Sequence, residues 1–259
     1  MSMRPREERS RLAGWSVYLA VLSVPVLIIA AIGHRARLID ATPTYGIIAL
    51  GFAIAALAVI AALAAFVAIW RDGRRGVGPA VRGLVVGLLV LAVPAIAAWQ
   101  LVTYPRLTDI STDLVDPPRF VRAMADRSPA DAAIVAPGDD EAALQKEAYP
   151  DIVPRHYPVS TARVYQEAKA IVDRRGWEVL AASEPSEATA SGTIEAVAET
   201  LVFGFRQDVT IRIVPDGDGT RVDMRSAARN AAHDLGANAD RIRGFFADLD
   251  QALEGVSGQ

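Results

Sequence analysis

Cysteine is absent from all 259 residues, which removes disulfides, thiolate metal sites and a cysteine nucleophile together. Lysine is missing from the first 102 residues, where ten arginines face only Glu7, Glu8, Asp40 and Asp72, a net charge of +6. Asp, Glu, Lys, Arg and His are missing from Leu12–Ile32, Tyr45–Trp70 and Gly83–Val102, so a proton relay or an ion path through these runs has no charged residues to use. No phosphate-cradling glycine motif occurs, and Ser226 lacks the context of a nucleophile elbow. The three histidines, His34, His156 and His233, show no metal-ligand spacing. Asp216-Gly217-Asp218-Gly219 has the start of a calcium loop without its distal bidentate glutamate, and reads as a hairpin turn. Neither a metal nor a cofactor is called for.

What is present is apolar. Each of the three uncharged runs has 20 residues or more, and at about 1.5 Å per residue it can cross a hydrocarbon core of roughly 30 Å. They read as three transmembrane helices, with Trp15, Tyr18, Tyr45, Trp70, Trp99 and Tyr104 near their ends, where amphipathic rings favour the headgroup zone. Arg4, Arg6, Arg9 and Arg11 precede the first run, and Arg71, Arg74, Arg75 and Arg82 separate the second from the third. The positive-inside rule then places the N-terminus in the cytoplasm and the C-terminal domain in the periplasm, anchored in the inner (cytoplasmic) membrane. Ala31-Ile32-Gly33 also resembles a signal-peptide cleavage site, and cleavage there would leave the domain on the same side. Pro25 and Pro94 should kink the first and third helices. Gly51, Ala55, Ala58, Ala62 and Ala65 on the second helix and Gly83-x-x-x-Gly87 on the third form small-residue faces, suited either to packing among the three helices or to docking on another membrane protein.

The remainder, from Thr103, carries 17 basic and 26 acidic residues, a balance that repels phosphate backbones and makes nucleic acid a poor partner. Residues 1–104 thus form the anchor, 105–155 a proline-rich arm laid over the domain and membrane surface, and 156–259 an exported domain. In the arm, Asp116-Pro117-Pro118 reads as a helix start that puts Phe120, Val121 and Met124 on one side, and Asp139–Glu147 as a second short helix. In the domain, Ser160 caps a helix running to about Arg175, with Val164, Ala168, Ile171 and Val172 on one face and Gly176 ending it. Trp177–Ser183 alternates as a strand with Trp177, Val179 and Ala181 to one side, and Thr189–Glu199 alternates again; the domain has four strands in succession if Leu201–Phe205 extends the third. A four-residue turn at Asp216–Gly219 would set Pro215 opposite Thr220, Ile213 opposite Val222, Ile211 opposite Met224 and Arg212 opposite Asp223. A last helix, N-capped near Asn238, presents Ile242, Phe245, Phe246, Leu249, Ala252 and Leu253. The fold class expected is three N-terminal transmembrane α-helices followed by an α+β domain, a two-layer antiparallel sheet packed by two helices. A curved, helix-grip-like sheet and a flatter one both fit this order.

The chemically specific residues gather in Arg225–Phe246. Arg225, Arg229, His233, Asp234, Asn238 and Arg241, with Asp208 near them, suit two readings. One is an anion or polar-headgroup site, since guanidinium forks and a helix N-terminus bind phosphate or carboxylate. The other is a buried polar network, with Asp234 paired to an arginine and Asn238 capping the helix. Ile194-Glu195-Ala196, Phe203-Gly204-Phe205 leading through Asp208 to Ile211-Arg212, Val222-Asp223-Met224-Arg225-Ser226 with Arg229, and Asp234-Leu235-Gly236-x-Asn238-x-x-Arg241-Ile242 together resemble domain-of-unknown-function family fourteen-ninety-nine over roughly Asp113 to Leu253. Gln207 stands where that family has the first acid of a pair, Ala228 where it has a second serine, and Asn230-Ala231-Ala232-His233 where its loop contains glycine. The resemblance implies a membrane-associated or exported domain and supplies no reaction.

With no catalytic constellation assembled, the expectation is a non-enzymatic, membrane-anchored envelope protein of a Gram-negative-type bacterium. Its exported domain and small-residue helix faces would contact a partner membrane protein or complex, and membrane lipids would surround its spans. The competing expectation is binding of a lipid or isoprenoid-like amphiphile between sheet and last helix, its headgroup at the arginines.

Overall fold

The computed structural model describes residues 8–134, 137–230 and 233–254. The N-terminal part contains α1 (Arg11–Arg35), α2 (Ala41–Asp72) and α3 (Val77–Thr103), three helices long and apolar enough to cross a membrane. Ser10 Oγ accepts from the Ala13 amide at the start of α1, and α2 ends at Gly73, whose φ of +67° closes a C-cap to the Ile69 carbonyl. Helices α1 and α3 run on through Pro25 and Pro94. Helix α2, at 32 residues, is about 48 Å long and exceeds the hydrocarbon core unless tilted.

Helices α1 and α2 lie antiparallel, with Leu27 beside Gly51 near one end and Ala13 clustered with Ala65 near the other. The small-residue stripe of α2, Gly51 through Ala65, is buried in this contact, which lets the two backbones approach closely. Helix α3 touches α1 at Gly83 and α2 at Gly87 and leaves most of its apolar surface exposed. The small-residue faces of α2 and α3 are engaged in packing within this unit. A Cβ on Gly83 would sit 2.7 Å from the backbone of Ser16, whereas one on Gly78 would meet nothing within 4 Å. Gly83→Val should therefore lower the SDS concentration at which helical circular dichroism is lost, and Gly78→Val should leave it unchanged.

The C-terminal unit comprises residues 100–201 and 205–259. Its sheet uses β1 (Asp109–Ser111), β2 (Arg155–Tyr157), β3 (Glu178–Ser183), β4 (Gly192–Glu199), β5 (Arg206–Asp216) and β6 (Gly219–Ala228), all antiparallel, in the order β1-β6-β5-β4-β3. The short strands β1 and β2 share the outer edge of β6, and the sheet is open rather than a barrel. The hairpin register is as expected, with Ile213 opposite Val222, Ile211 opposite Met224 and Arg212 opposite Asp223. One face of the sheet carries Ile194, Val209, Ile211, Ile213, Val222 and Met224, buried under α6 (Thr161–Arg174) and α7 (Ala237–Glu254). Val164, Ala168, Ile171 and Val172 come from α6, and Ile242, Phe245, Phe246 and Leu249 from α7.

Four expectations change. A β-bulge between Val179 and Ala181 resets the alternation of β3, so Val179 pairs with Ala196 on the helix side while Ala181 pairs with Glu195 on the other. Leu201–Phe205 does not extend β4; it is the connection to β5. The arm is part of the domain, since β1 joins the sheet and α5 (Asp139–Ala148) is held to it by Gln145, whose amide bonds both the N–H and C=O of Ser111. Asp116-Pro117-Pro118 starts no helix, because consecutive prolines hold the residues before them extended. The short α4 (Arg122–Asp126) follows, and only Phe120 and Ala123 are buried, with Val121 and Met124 left exposed.

Candidate functional site

Side chains of β6 alternate between two faces, and this divides the expected cluster. Val222, Met224 and Ser226 face the helices; Asp223, Arg225, Ala227 and Arg229 face the arm. Arg225 and Arg229 therefore lie across the sheet from Asn238 and Arg241, and the seven residues do not form one site.

On the arm side, Asp208 of β5 is fully buried and accepts from Arg229 Nε at 2.9 Å and Arg127 Nε at 2.7 Å. Arg229 reaches on to Asp126 Oδ2 at 2.9 Å, which also meets Arg206 at 3.0 Å. Burial by itself would lower the Arg229 pKa, but Asp208 and Asp126 outweigh it and raise it above the usual value. Arg225 forms a fork with Asp109, 2.9 and 2.7 Å, under the ring of Phe120 at 5.0 Å. Burial raises the Asp109 pKa, opposed by that arginine. Glu195 Oε2 accepts from the amides of Val121, Arg122 and Ala123 at 2.9, 2.9 and 3.0 Å, so a strand carboxylate caps α4 from across the fold. Toward the hairpin, Arg212 and Arg221 share Asp223 and Asp113. The guanidinium groups of Arg225 and Arg229 are thus held by the chain's own carboxylates.

On the helix side, the Asp234-Leu235-Gly236-x-Asn238-x-x-Arg241 stretch is a clasp. Asp234, not Asn238, caps α7; its two oxygens accept from the amides of Gly236 at 2.9 Å and Asn238 at 3.0 Å. Leu235 and Gly236 both have positive φ, +56° and +81°, and a Cβ on Gly236 would lie 3.2 Å from the Tyr104 ring. Asn238 lies inside the helix, fully buried, where its amide donates to Thr108 O at 2.9 Å and accepts from Ser226 Oγ at 2.8 Å. Arg241 Nη1 donates to Ser226 Oγ at 3.1 Å and Asn238 Oδ1 at 2.9 Å. His233 Nδ1 accepts from the Leu235 amide at 2.9 Å, which leaves Nε2 as the donor to Tyr104 O at 3.2 Å. Among the described residues the expected Asp234–arginine pair does not form; both carboxylate oxygens are engaged by backbone amides.

Arg241 is the exception among the arginines. Among the described residues no carboxylate lies within 4.0 Å of it, and burial lowers its pKa to about 10 despite the pull of Asp234. Burial likewise raises the Asp234 pKa, opposed by its two amide bonds. Gln207, on the helix side of β5, is buried with its amide oxygen lacking a partner among the described residues. No group of three or more His, Asp or Glu side chains able to hold a metal occurs among the described residues. Sequence reasoning missed Asp126, Arg127 and Asp109, which complete the network from the arm; only their position in a segment thick with prolines hinted that the arm is tied down.

Fold and site together define an α+β domain, preceded by three helices long and apolar enough to cross a membrane, whose clustered polar residues bond to one another and to backbone. The chain belongs to the family of proteins of unknown function DUF1499, which matches residues 109–249, more than half its length. No curated protein matches it.

Asp208→Ala leaves Arg229 buried with half its partners and should cost about 3–5 kcal/mol, read as a lower urea midpoint from the fluorescence of Trp177, stacked on Phe245. Asp151→Ala, which breaks the exposed pair with Arg243, should cost less than about 1 kcal/mol. Acid should also unfold the domain in a defined sense. Burial would raise the Asp113 pKa, but the amides of Asp116 and Val115 and the Arg221 guanidinium lower it below the usual value. Its contribution is present above an ordinary carboxylate pKa of about 4 and is lost as pH falls through the folded value. Asp109 and Asp234, with raised values, act oppositely, gaining stability as they are protonated. Asp113→Asn should therefore be less stable than the parent at pH 7 and show a flatter loss below about pH 4, measured by urea midpoints across the range.

Proposed function

We propose that this chain is a non-enzymatic, membrane-anchored envelope protein whose C-terminal domain offers a rigid surface to a partner protein in or on the same membrane. The observation that carries the reading is the filled interior of the domain. Met224, Ile211, Phe245 and Leu249, which occupy the space between sheet and last helix, are all fully buried. The opposite face is covered by the arm and knitted by ion pairs. A domain built this way keeps its shape and works through its outside. The stripe on α2 is occupied by packing within the anchor, so in this reading the partner meets the domain and the outward surface of α3. The arginines flanking α1 and separating α2 from α3 favour a cytoplasmic N-terminus, with the domain in the periplasm and the spans in the inner membrane.

One observation keeps an amphiphile in view. Arg241, with neutral oxygen partners, is the member of the cluster that an anionic headgroup would meet. Purification of the tagged full chain in mild detergent should recover a stoichiometric protein partner, and native mass spectrometry of the same preparation should show no retained lipid. A partner-free chain carrying one lipid that Arg241→Gln releases would overturn the scaffold in favour of the carrier.

A further inference from the structure

The three-helix unit has one strongly basic end. Ala13, Ala65 and Ala80 cluster there, so the starts of α1 and α3 and the end of α2 lie together. Backbone bonds tie the segment before α1 to the same place, Ser10 N donating to Arg75 O at 2.9 Å and Arg75 N to Glu8 O at 3.1 Å. This end therefore gathers Arg9, Arg11, Arg71, Arg74, Arg75 and Arg82 against Glu8 and Asp72. Asp72 is engaged by Arg74 at 3.2 Å. Among the described residues no carboxylate lies within 4.0 Å of Arg82.

Arg82 differs from the others in depth. They flank helix ends, whereas it stands five residues beyond the start of α3 at Val77, about 7.5 Å along the helix axis. Beside it the helices part. Gly83 brings α3 against Ser16 of α1, but one turn further on Gly87 meets Ala55 and Val59 of α2 instead. The space left between α1 and α3 is a groove of about 330 Å³ lined by Val17, Ala20, Val21, Val81 and Val85, with Arg82 the one charged residue on its wall.

That combination selects an occupant. The valine-lined groove suits a hydrocarbon chain, and a guanidinium at its rim binds a phosphate by charge-assisted hydrogen bonds. An apolar helix laid into the groove would leave Arg82 without a counter-charge at the membrane. A zwitterionic lipid would bring its own cation up to the arginine cluster. An anionic phospholipid satisfies both parts.

We propose that the groove between α1 and α3 is a binding site for an anionic phospholipid of the surrounding bilayer, one acyl chain lying along Val17, Val21 and Val85 and the phosphate bonded to Arg82. Val21, Val81 and Val85 are exposed along the groove, so the lipid exchanges with its neighbours and is not carried through detergent. The site rests on the membrane-anchored reading above and is independent of the partner and of the side on which the domain lies.

The absence of cysteine allows a local test in the full chain reconstituted in phosphatidylcholine nanodiscs. Val24, one turn beyond Val21 on the same side of α1, is replaced in Val24→Cys and labelled with bimane. Its fluorescence is then titrated with phosphatidylglycerol or phosphatidylcholine carrying a nitroxide midway along the acyl chain. The labelled phosphatidylglycerol should reach half-quenching at about one fifth of the mole fraction that phosphatidylcholine needs. Arg82→Gln, which removes the headgroup contact, and Val85→Phe, which fills the groove and keeps every charge, should each bring the two lipids level. Arg74→Gln, the same loss of charge at the same end but away from the groove, should leave the preference intact. Equal quenching by both lipids in the parent, or a preference that survives Arg82→Gln or Val85→Phe, would overturn the site alone. No quenching by either lipid would overturn the membrane-anchored reading and the site with it.

Discussion

The carboxylate of Asp208 holds two guanidinium groups at once, Arg229 from the end of β6 and Arg127 from the arm, in a place water does not reach. An ion pair so deeply buried is stable only while every partner stays, so the pair obliges the arm to lie on the sheet. Asp126 and Arg206 extend the same constraint to the start of β5, and Glu195 extends it to the N-terminus of α4. A domain of this size could have covered its second face with a helix. It uses a proline-rich strap, pinned by ion pairs and by Phe120 and Ala123 packed on Ala227.

The helix face obeys ordinary hydrophobic packing, and its one polar insertion is the clasp from Ser226 through Asn238 to Arg241. That clasp and the Asp234 cap fix the start of α7, the Thr108 carbonyl and the end of β6 relative to one another. Tyr104 is held at the same end of the domain, its carbonyl bonded to His233 and its ring against Gly236. The chemistry of the clasp is positional: Ser226, Asp234, Asn238 and Arg241 bond to one another or to backbone, and among the described residues the buried amide oxygen of Gln207 beside them has no partner.

Much of this was legible in advance. The three spans, the α6 face, the α7 face and the β5–β6 register follow from periodicity and turn chemistry, which are local and survive without knowledge of neighbours. The split of Arg225 and Arg229 from Ser226 and Arg241 was present in the same alternation, but the nearness of these residues in sequence suggested a single site. The capping of α4 by Glu195 joins residues more than 70 positions apart and left no local trace. The bulge at Val179 and the non-helical run of 117–120 were equally hidden, one because pairing with β4 decides it, the other because two prolines overrode an apparent cap.

By itself, then, the sequence determined the number of membrane-capable helices, the α+β order and the strand pairing of the last hairpin, since each depends on spacing of apolar and turn residues along a single segment. Tertiary structure decided which arginine meets which carboxylate, that the arm rather than solvent covers the second face, and that Asp234 rather than Asn238 caps the final helix. Those outcomes depend on which partner arrives within about 3 Å from a distant part of the chain. Charge and hydrogen bonding choose among such partners only after the sheet has brought them together.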